Sequence, residues 1–428
     1  MDFKDIKSIK GDITVPGDKS ISHRSAIISA LADDPVNIEN YLFSRDCIST
    51  LDVLKELGVK IIEDGKKLSV NGRGISGLSE PSKILEVDNS GTTIRLLSGV
   101  LAGNSFMSVL SGDSSINSRP MRRIIEPLTA MGACVRGRQN NTKAPIIIFG
   151  KKDLTGRKFD LDLSSAQVKS CILLAALHAK GKTEINQPEI SRDHSERMLE
   201  YFDADISYNG KNTKIDPDRK LRAKDLIIPG DLSSALFIIV AALLLKNSNI
   251  LIRDVGINQT RSYILDILKE MGGRINIKNR RVVCNEPVAD IEVSSSKLMP
   301  AKIGIDKIPN IIDEIPILAV AAAVADGTTI IKGAGELRNK ESDRLKAIRT
   351  RFNKAGLNIK ELKDGLEIRG NNKLKVRGGI IDSMDDHRIA MSLAVLSMLS
   401  EEKLIVTNLE CIDTSFPGFK NTINSIAN

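Results

Sequence analysis

Aromatic side chains are scarce in this chain: its 428 residues include no tryptophan, four tyrosines and ten phenylalanines. Proteins that grip single-stranded nucleic acid stack bases on aromatic platforms along a basic track. No run of five lysines or arginines occurs either, so nucleic acid is not an expected partner. Long apolar runs are also missing. The longest, 235–245 and 315–325, are eleven residues each, well short of the ~20 needed to span a bilayer. The opening MDFKDIKSIKGDI mixes both charge signs and has no apolar segment of the signal-peptide kind. No membrane association is expected, and the cytosol is the expected compartment.

Five cysteines at 47, 134, 171, 284 and 411 are scattered without a C-x-x-C pair. They read as small buried hydrophobes rather than as a disulfide framework or a zinc site. The four histidines (23, 178, 194 and 387) lack H-E-x-x-H spacing, so no metal is expected. Neither a G-x-x-x-x-G-K-[ST] loop nor a G-x-G-x-x-G turn after a strand is present, so no nucleotide cofactor is expected, and indeed no cofactor of any kind. What remains is a chain with a globular balance, 41% hydrophobic and 27% charged, and a net charge of +8. Its length exceeds what one core usually serves, and its basicity points to small anionic partners.

The positive content of the sequence is a repeat. One pattern recurs six times: a polar start, an apolar helical run rich in Ala and Leu, a small polar turn, then β-branched residues. The copies start at Asp18, Asn89, Ser164, Asp231, Asp313 and Asp386, spaced by 71, 75, 67, 82 and 73 residues. A second helical pattern follows each first one. The first helices are apolar all round, the mark of burial between layers. The second carry apolar residues at i, i+3, i+4 and i+7, and four of them stop at Gly58, Gly132, Gly272 and Gly356. The pattern predicts an α/β (α+β) protein of two domains with three repeats each. The boundary falls in the loop 228–231, giving 17–229 for one domain and 230–428 for the other, with the opening strand 1–16 open to either.

Polar residues crowd the helix starts. A helix N-terminus offers unpaired N–H groups and about half a positive charge, and so favours anions. Near these starts lie Lys19, Arg24, Arg95, Arg119, Lys169, Arg192, Lys340, Arg344 and Arg388, and arginine forks match phosphate and carboxylate geometry. Taken singly, each polar helix start is more often a structural cap, and Lys169 alone reads as a solvated charge. Recurrence at one phase of six repeats favours a shared anion site. Asp313 and Glu341, acids among these cations, are either caps and salt-bridge partners or a general acid and base.

The motifs PGDKSISHRS (16–25), NSGTTIR (89–95), RPM (119–121), SAQVK (165–169), RDHSE (192–196), NQTR (258–261), DEIPILA (313–319), KESDR (340–344) and DHRIAM (386–391) resemble, in order and over essentially the whole chain, the 5-enolpyruvylshikimate-3-phosphate (EPSP) synthase family. GDKS, SAQVK and NQTR look like its class II branch, which is described as often less sensitive to glyphosate. The resemblance implies the two-domain enolpyruvyl transferase fold, six βαβαββ repeats with an active site in the cleft between domains, and it assigns the opening strand to the C-terminal domain. It implies transfer of the enolpyruvyl group of phosphoenolpyruvate to the 5-hydroxyl of shikimate 3-phosphate, with release of phosphate, by a cytoplasmic monomer of the chorismate and aromatic amino acid route.

By the same resemblance, shikimate 3-phosphate would be held by Lys19, Ser20, Arg24, Ser165, Ala166, Gln167, Arg192, Asp313 and Lys340. Phosphoenolpyruvate would be held by Lys19, Gly91, Arg119, Gln167, Glu341, Arg344 and Arg388. Asp313 would take the hydroxyl proton, and Glu341, with Lys19, would exchange a proton with the methylene carbon. The chain departs from class I members at Ser115, Thr414 and Leu96, where those carry Arg, Lys and Pro. The sister activity, enolpyruvyl transfer to UDP-N-acetylglucosamine, uses a cysteine in the loop corresponding to 112–119, which here has none. An inactive anion-binding protein on the same fold is the other alternative, and intact Lys19, Asp313 and Glu341 speak against it.

Overall fold

The computed structural model describes residue 3, residues 5–217 and residues 220–428. The chain forms two compact units. One comprises 17–228 together with the hairpin tip 283–286, and the other comprises the opening segment to residue 16 with 229–282 and 287–428. The tip 283–286 belongs to a hairpin of the second unit yet clusters with the first, which the repeat spacing gives no means of seeing.

Among the described residues, besides short helical turns such as Ser114–Ser118 and Ile308–Ile311, two helices belong to each of the six repeats. In the first unit they are α1 (Lys19–Ala30), α2 (Arg45–Glu56), α3 (Gly91–Ala102), α4 (Arg122–Ala130), α5 (Ala166–Ala176) and α6 (His194–Tyr201). In the second they are α7 (Leu232–Leu244), α8 (Gln259–Glu270), α9 (Ile315–Val324), α10 (Arg344–Ala347, continuing in a wider turn to Phe352), α11 (His387–Ser397) and α12 (Phe419–Ile426). The odd-numbered ones, apart from the short-sided starts of their first turns, are sheathed on every face. In α7 every residue from Leu232 to Leu243 is buried, and in α9 every residue from Ile315 to Ala323. No polar stripe exists for water to wet, so such helices are stable only inside a core. Among the even-numbered helices, α10 is short because the chain passes into a wider turn at Ile348.

The helices that face water end as their glycines require. Gly58, Gly132, Gly272 and Gly356 sit at φ +85°, +105°, +94° and +97°, a left-handed conformation in which a side chain is strained. Five sheets among the described residues repeat one plan. Strand 35–39 lies parallel to 226–227 and antiparallel to 67–71, which pairs in turn with 60–64. Four further sheets have the same four-strand order, and two smaller ones, 154–155 with 179–180 and 379–382 with 404–407, have two strands each. The opening strand Lys10–Thr14 runs parallel to Asn249–Arg253 in the second unit. No helix among the described residues is long and apolar enough to cross a membrane. Of the cysteines, only Cys47 and Cys171 are buried; Cys134 is exposed, and Cys284 and Cys411 are half-buried. The uniform expectation of buried thiols therefore holds for two of five.

Candidate functional site

At the heads of the buried helices, the structural reading of the polar residues is largely what is observed. Asp18, Ser90, Ser165, Asp231 and Asp386 each accept a hydrogen bond from a backbone N–H of the first turn. Asp313 is different. It stands one residue before Glu314, the N-cap of α9, and its carboxylate accepts from Lys340 Nζ at 3.0 Å and Arg344 Nη1 at 3.3 Å.

In the first unit, three helix heads bring one group of residues together. Lys19, the first residue of α1, is ion-paired with Asp46, and Ser20 follows it. Arg24, one turn further and 4% exposed, is pinned by Nε to Ser195 Oγ (2.7 Å), by Nη1 to the Ser20 carbonyl (2.9 Å) and by Nη2 to Ser170 Oγ (2.8 Å). Burial, with the field of nearby Arg192 adding to it and acidic neighbours opposing, lowers the Arg24 pKa to about 10; the group stays charged at neutral pH. Ser165 and Ala166 begin α5, and the Ser165 hydroxyl accepts from Val168 N at 3.4 Å.

A second group lies where α3 begins. Gln167 bridges two side chains, accepting from Arg95 Nη1 (2.5 Å) and donating to Thr92 Oγ1 (3.0 Å). Arg119 Nη2 reaches Asn89 Oδ1 (3.0 Å) and Ser115 Oγ (3.2 Å). A β-carbon on Gly91 would stand 2.9 Å from Arg119 Nη1 and 3.1 Å from Arg95 Nη1. Glycine there is a matter of room for two guanidiniums.

Lys169 corrects the reading of a solvated charge. It is 1% exposed, and its Nζ lies 2.6 Å from Glu196 Oε1, itself buried. A lysine inside an apolar helix needs such a partner. Ser170 and Ser195, the neighbours of this pair in sequence, share a 2.6 Å hydrogen bond and are the same two hydroxyls that hold Arg24.

In the second unit the cations and acids converge on Arg344, at the head of α10 and 1% exposed. Its Nε donates to Asp386 Oδ2 (2.8 Å), Nη1 to Asp313 Oδ1 (3.3 Å) and Nη2 to Glu341 Oε2 (2.6 Å). Burial works against its charge, but Asp386, Glu341 and Asp313 outweigh that cost and raise its pKa above the ordinary arginine value. Asp386, fully buried, also accepts from Ser342 Oγ and from Arg388 N, so that one carboxylate ties Arg344 to the head of the helix that carries Arg388. Arg388 Nη1 in turn donates to the Asp313 carbonyl at 2.7 Å. Asp46, Glu196 and Asp386 were not among the residues singled out for roles in the sequence. Their signal there is a charge beside or inside an apolar helix, which gives no partner. Among the described residues, no cluster of three or more His, Cys, Asp or Glu is placed to hold a metal.

Several of these buried-helix heads carry arginine or lysine beside a carboxylate, and the fold that holds them is that of the enolpyruvyl transferases. The fold is shared with the enolpyruvyl transferase NikO from Streptomyces tendae (TM-score 0.78, 17% identity, 99% of this chain and 97% of that one). The chain belongs to the EPSP synthase family: the family model for EPSP synthase (3-phosphoshikimate 1-carboxyvinyltransferase) matches residues 3–423. It is 46% identical over 420 residues to the 3-phosphoshikimate 1-carboxyvinyltransferase of Citrifermentans bemidjiense (98% of this chain, 97% of that one). It is 48% identical over 423 residues to that of Petrotoga mobilis (98% of each chain). An EPSP synthase structure from Acinetobacter baumannii superposes with a TM-score of 0.89 at 38% identity, covering 100% of this chain and 97% of the other.

Proposed function

We propose that the protein transfers the enolpyruvyl group of phosphoenolpyruvate to the 5-hydroxyl of shikimate 3-phosphate and releases phosphate, in the cytoplasm and as a monomer. The observation that carries this reading is the single guanidinium of Arg344, which gathers Asp313 and Glu341. The reaction needs two proton-handling groups, one for an oxygen and one for a carbon.

In the forward direction the substrate hydroxyl oxygen bonds to C2 of phosphoenolpyruvate as Asp313 takes its proton. C3 gains a proton from Glu341, with Lys19 assisting, to give a tetrahedral adduct. Elimination then breaks the C2–O bond to phosphate, and C3 gives a proton back. Charge is the main physical obstacle, since both substrates are polyanions. Lys19, Ser20, Arg24, Ser165, Ala166, Gln167, Arg192, Asp313 and Lys340 hold shikimate 3-phosphate in this scheme. Lys19, Gly91, Arg119, Gln167, Glu341, Arg344 and Arg388 hold phosphoenolpyruvate. Preorganised guanidiniums are worth most in such a step because they need not reorient as charge moves. Arg24 and Arg344, each fixed by three protein partners, support that role.

The test is phosphate release from purified protein given phosphoenolpyruvate alone, with shikimate 3-phosphate, or with UDP-N-acetylglucosamine. Release only with shikimate 3-phosphate is the expected outcome. Release with the sugar nucleotide would assign the sister reaction, and no release with either would leave an inactive scaffold.

A further inference from the structure

Two adjacent acids stand at the head of α9 and face different cations. Asp313 meets Lys340 and Arg344. Glu314, 3% exposed, lies at the end of a buried chain of polar groups. Asp231 Oδ1 accepts from Arg261 Nη2 at 3.1 Å, and the same nitrogen donates to Ser233 Oγ at 2.5 Å. Ser233 Oγ donates to Glu314 Oε1 at 2.5 Å, and that oxygen lies 3.5 Å from Arg388 Nη1. The chain thus draws on the heads of α7, α8, α9 and α11 and ends on an arginine assigned above to phosphoenolpyruvate.

The arginine is held by one corner. Nη1 takes both contacts, the Asp313 carbonyl at 2.7 Å and the Glu314 carboxylate at 3.5 Å. Its Nε and Nη2 make no hydrogen bond among the described residues. That opposite edge is the fork that matches a carboxylate with two parallel N–H donors. A flexible arginine would have to be ordered by the ligand at an entropic cost, whereas one fixed by its far corner meets the ligand already oriented.

We propose that Glu314, set by Ser233 and Arg261, is a positioning residue that aims the Arg388 guanidinium at the carboxylate of phosphoenolpyruvate. The proposal rests on the function proposed above. It predicts an effect opposite in sign to plain electrostatics. Removing a negative charge 3.5 Å from a cation makes the neighbourhood more positive and on charge alone favours an incoming anion. Loss of aim disfavours it.

The experiment is steady-state kinetics of the Glu314→Gln protein, with each substrate varied in turn, beside the wild type and a charge-neutral Ser233→Ala variant. The expected result for Glu314→Gln is a KM for phosphoenolpyruvate raised about fivefold or more, with the KM for shikimate 3-phosphate within twofold of wild type. Ser233→Ala should shift the same constant in the same direction by less. A phosphoenolpyruvate KM that is unchanged or lower would overturn the proposal, as would a parallel rise for both substrates accompanied by a fall in Tm. If Glu314→Gln does not fold, Ser233→Ala decides on the same criterion. Absence of turnover by the wild type would refute the proposed function itself. Normal wild-type turnover with an unmoved variant would refute only the role of Glu314.

Discussion

The Lys169–Glu196 pair offers a measurement in which the burial of a charge decides the size of the effect. Both side chains are 1–2% exposed, with 2.6 Å between Nζ and Oε1. An exposed pair contributes about 0–1 kcal/mol, but removing one member of a buried pair strands the other charge away from water and costs about 3–5 kcal/mol. Lys169→Met keeps the length of the side chain and its apolar contacts within α5 while deleting the ammonium. At about 2–4 °C per kcal/mol for a unit of this size, Tm should fall by roughly 6–20 °C. Replacing both partners, Lys169→Met with Glu196→Leu, removes the stranded charge and should recover most of that loss, because apolar replacements of buried pairs are often neutral or stabilising. The assay is thermal unfolding followed by circular dichroism at fixed pH and salt. A single variant that lost less than about 1 kcal/mol would place the lysine in water, and a double variant no better than the singles would refute the account of a stranded charge.

Three further outcomes follow from the site. Gly91→Ala puts a β-carbon 2.9 Å from Arg119 Nη1; the fold should survive because the obstructing atoms end flexible side chains, and the KM for phosphoenolpyruvate should rise about tenfold, or ~1.4 kcal/mol, with Tm unchanged. An unmoved KM would show that Arg119 finds another position at no cost. Asp386→Asn keeps an oxygen for the cap of α11 but loses the charge that holds Arg344 Nε, and kcat/KM for phosphoenolpyruvate should fall by about 1.5–3 kcal/mol, or roughly 10- to 150-fold. Burial holds the His178 imidazole down at about 4. The folded state therefore refuses a proton that the unfolded chain accepts below its ordinary pKa near ~6.5, so His178 makes stability fall as pH drops from about 6.5 to about 4, by up to ~3 kcal/mol, and adds no pH dependence above that window. Urea midpoints across pH 4–7 should decline less steeply for His178→Asn than for the wild type, and identical slopes would sink the assignment.

The buried helices were legible because their apolar residues leave no wet face. Four of the water-facing helices were legible because a glycine must supply the left-handed residue that stops them. The heads of the buried helices stand out in the sequence by recurrence at one phase, and most of the polar groups there cap their own helices. What the sequence could not display is pairing at a distance. Lys169 reads as a solvated charge until Glu196, 27 residues on, is found against it, and Asp386 reads as a cap until Arg344, 42 residues back, is found on its other oxygen. Periodicity encodes which face is apolar. Which acid meets which base depends on how separate helix heads converge, and no local pattern carries that.

The opening strand has a consequence for the order of events as the chain is made. Lys10 pairs with Asn249, so at ~5–20 residues per second a ribosome delivers the first strand about 10–50 s before its partner. The intervening unit 17–228 brings its own two ends side by side: a β-carbon on Gly17 would lie 3.3 Å from Ile228 Cγ2. Just outside it, Pro16 O accepts from Asp231 N at 2.8 Å. Once that unit has folded, the loop to be closed shrinks from more than 200 flexible residues to a few tens. At ~0.6 kcal/mol per doubling of loop length, this removes about 2 kcal/mol of closure entropy. The first-made unit is in this sense a clamp that readies the second for assembly, and a chain whose 17–228 segment folds slowly would leave an unpaired strand exposed for the whole of that interval.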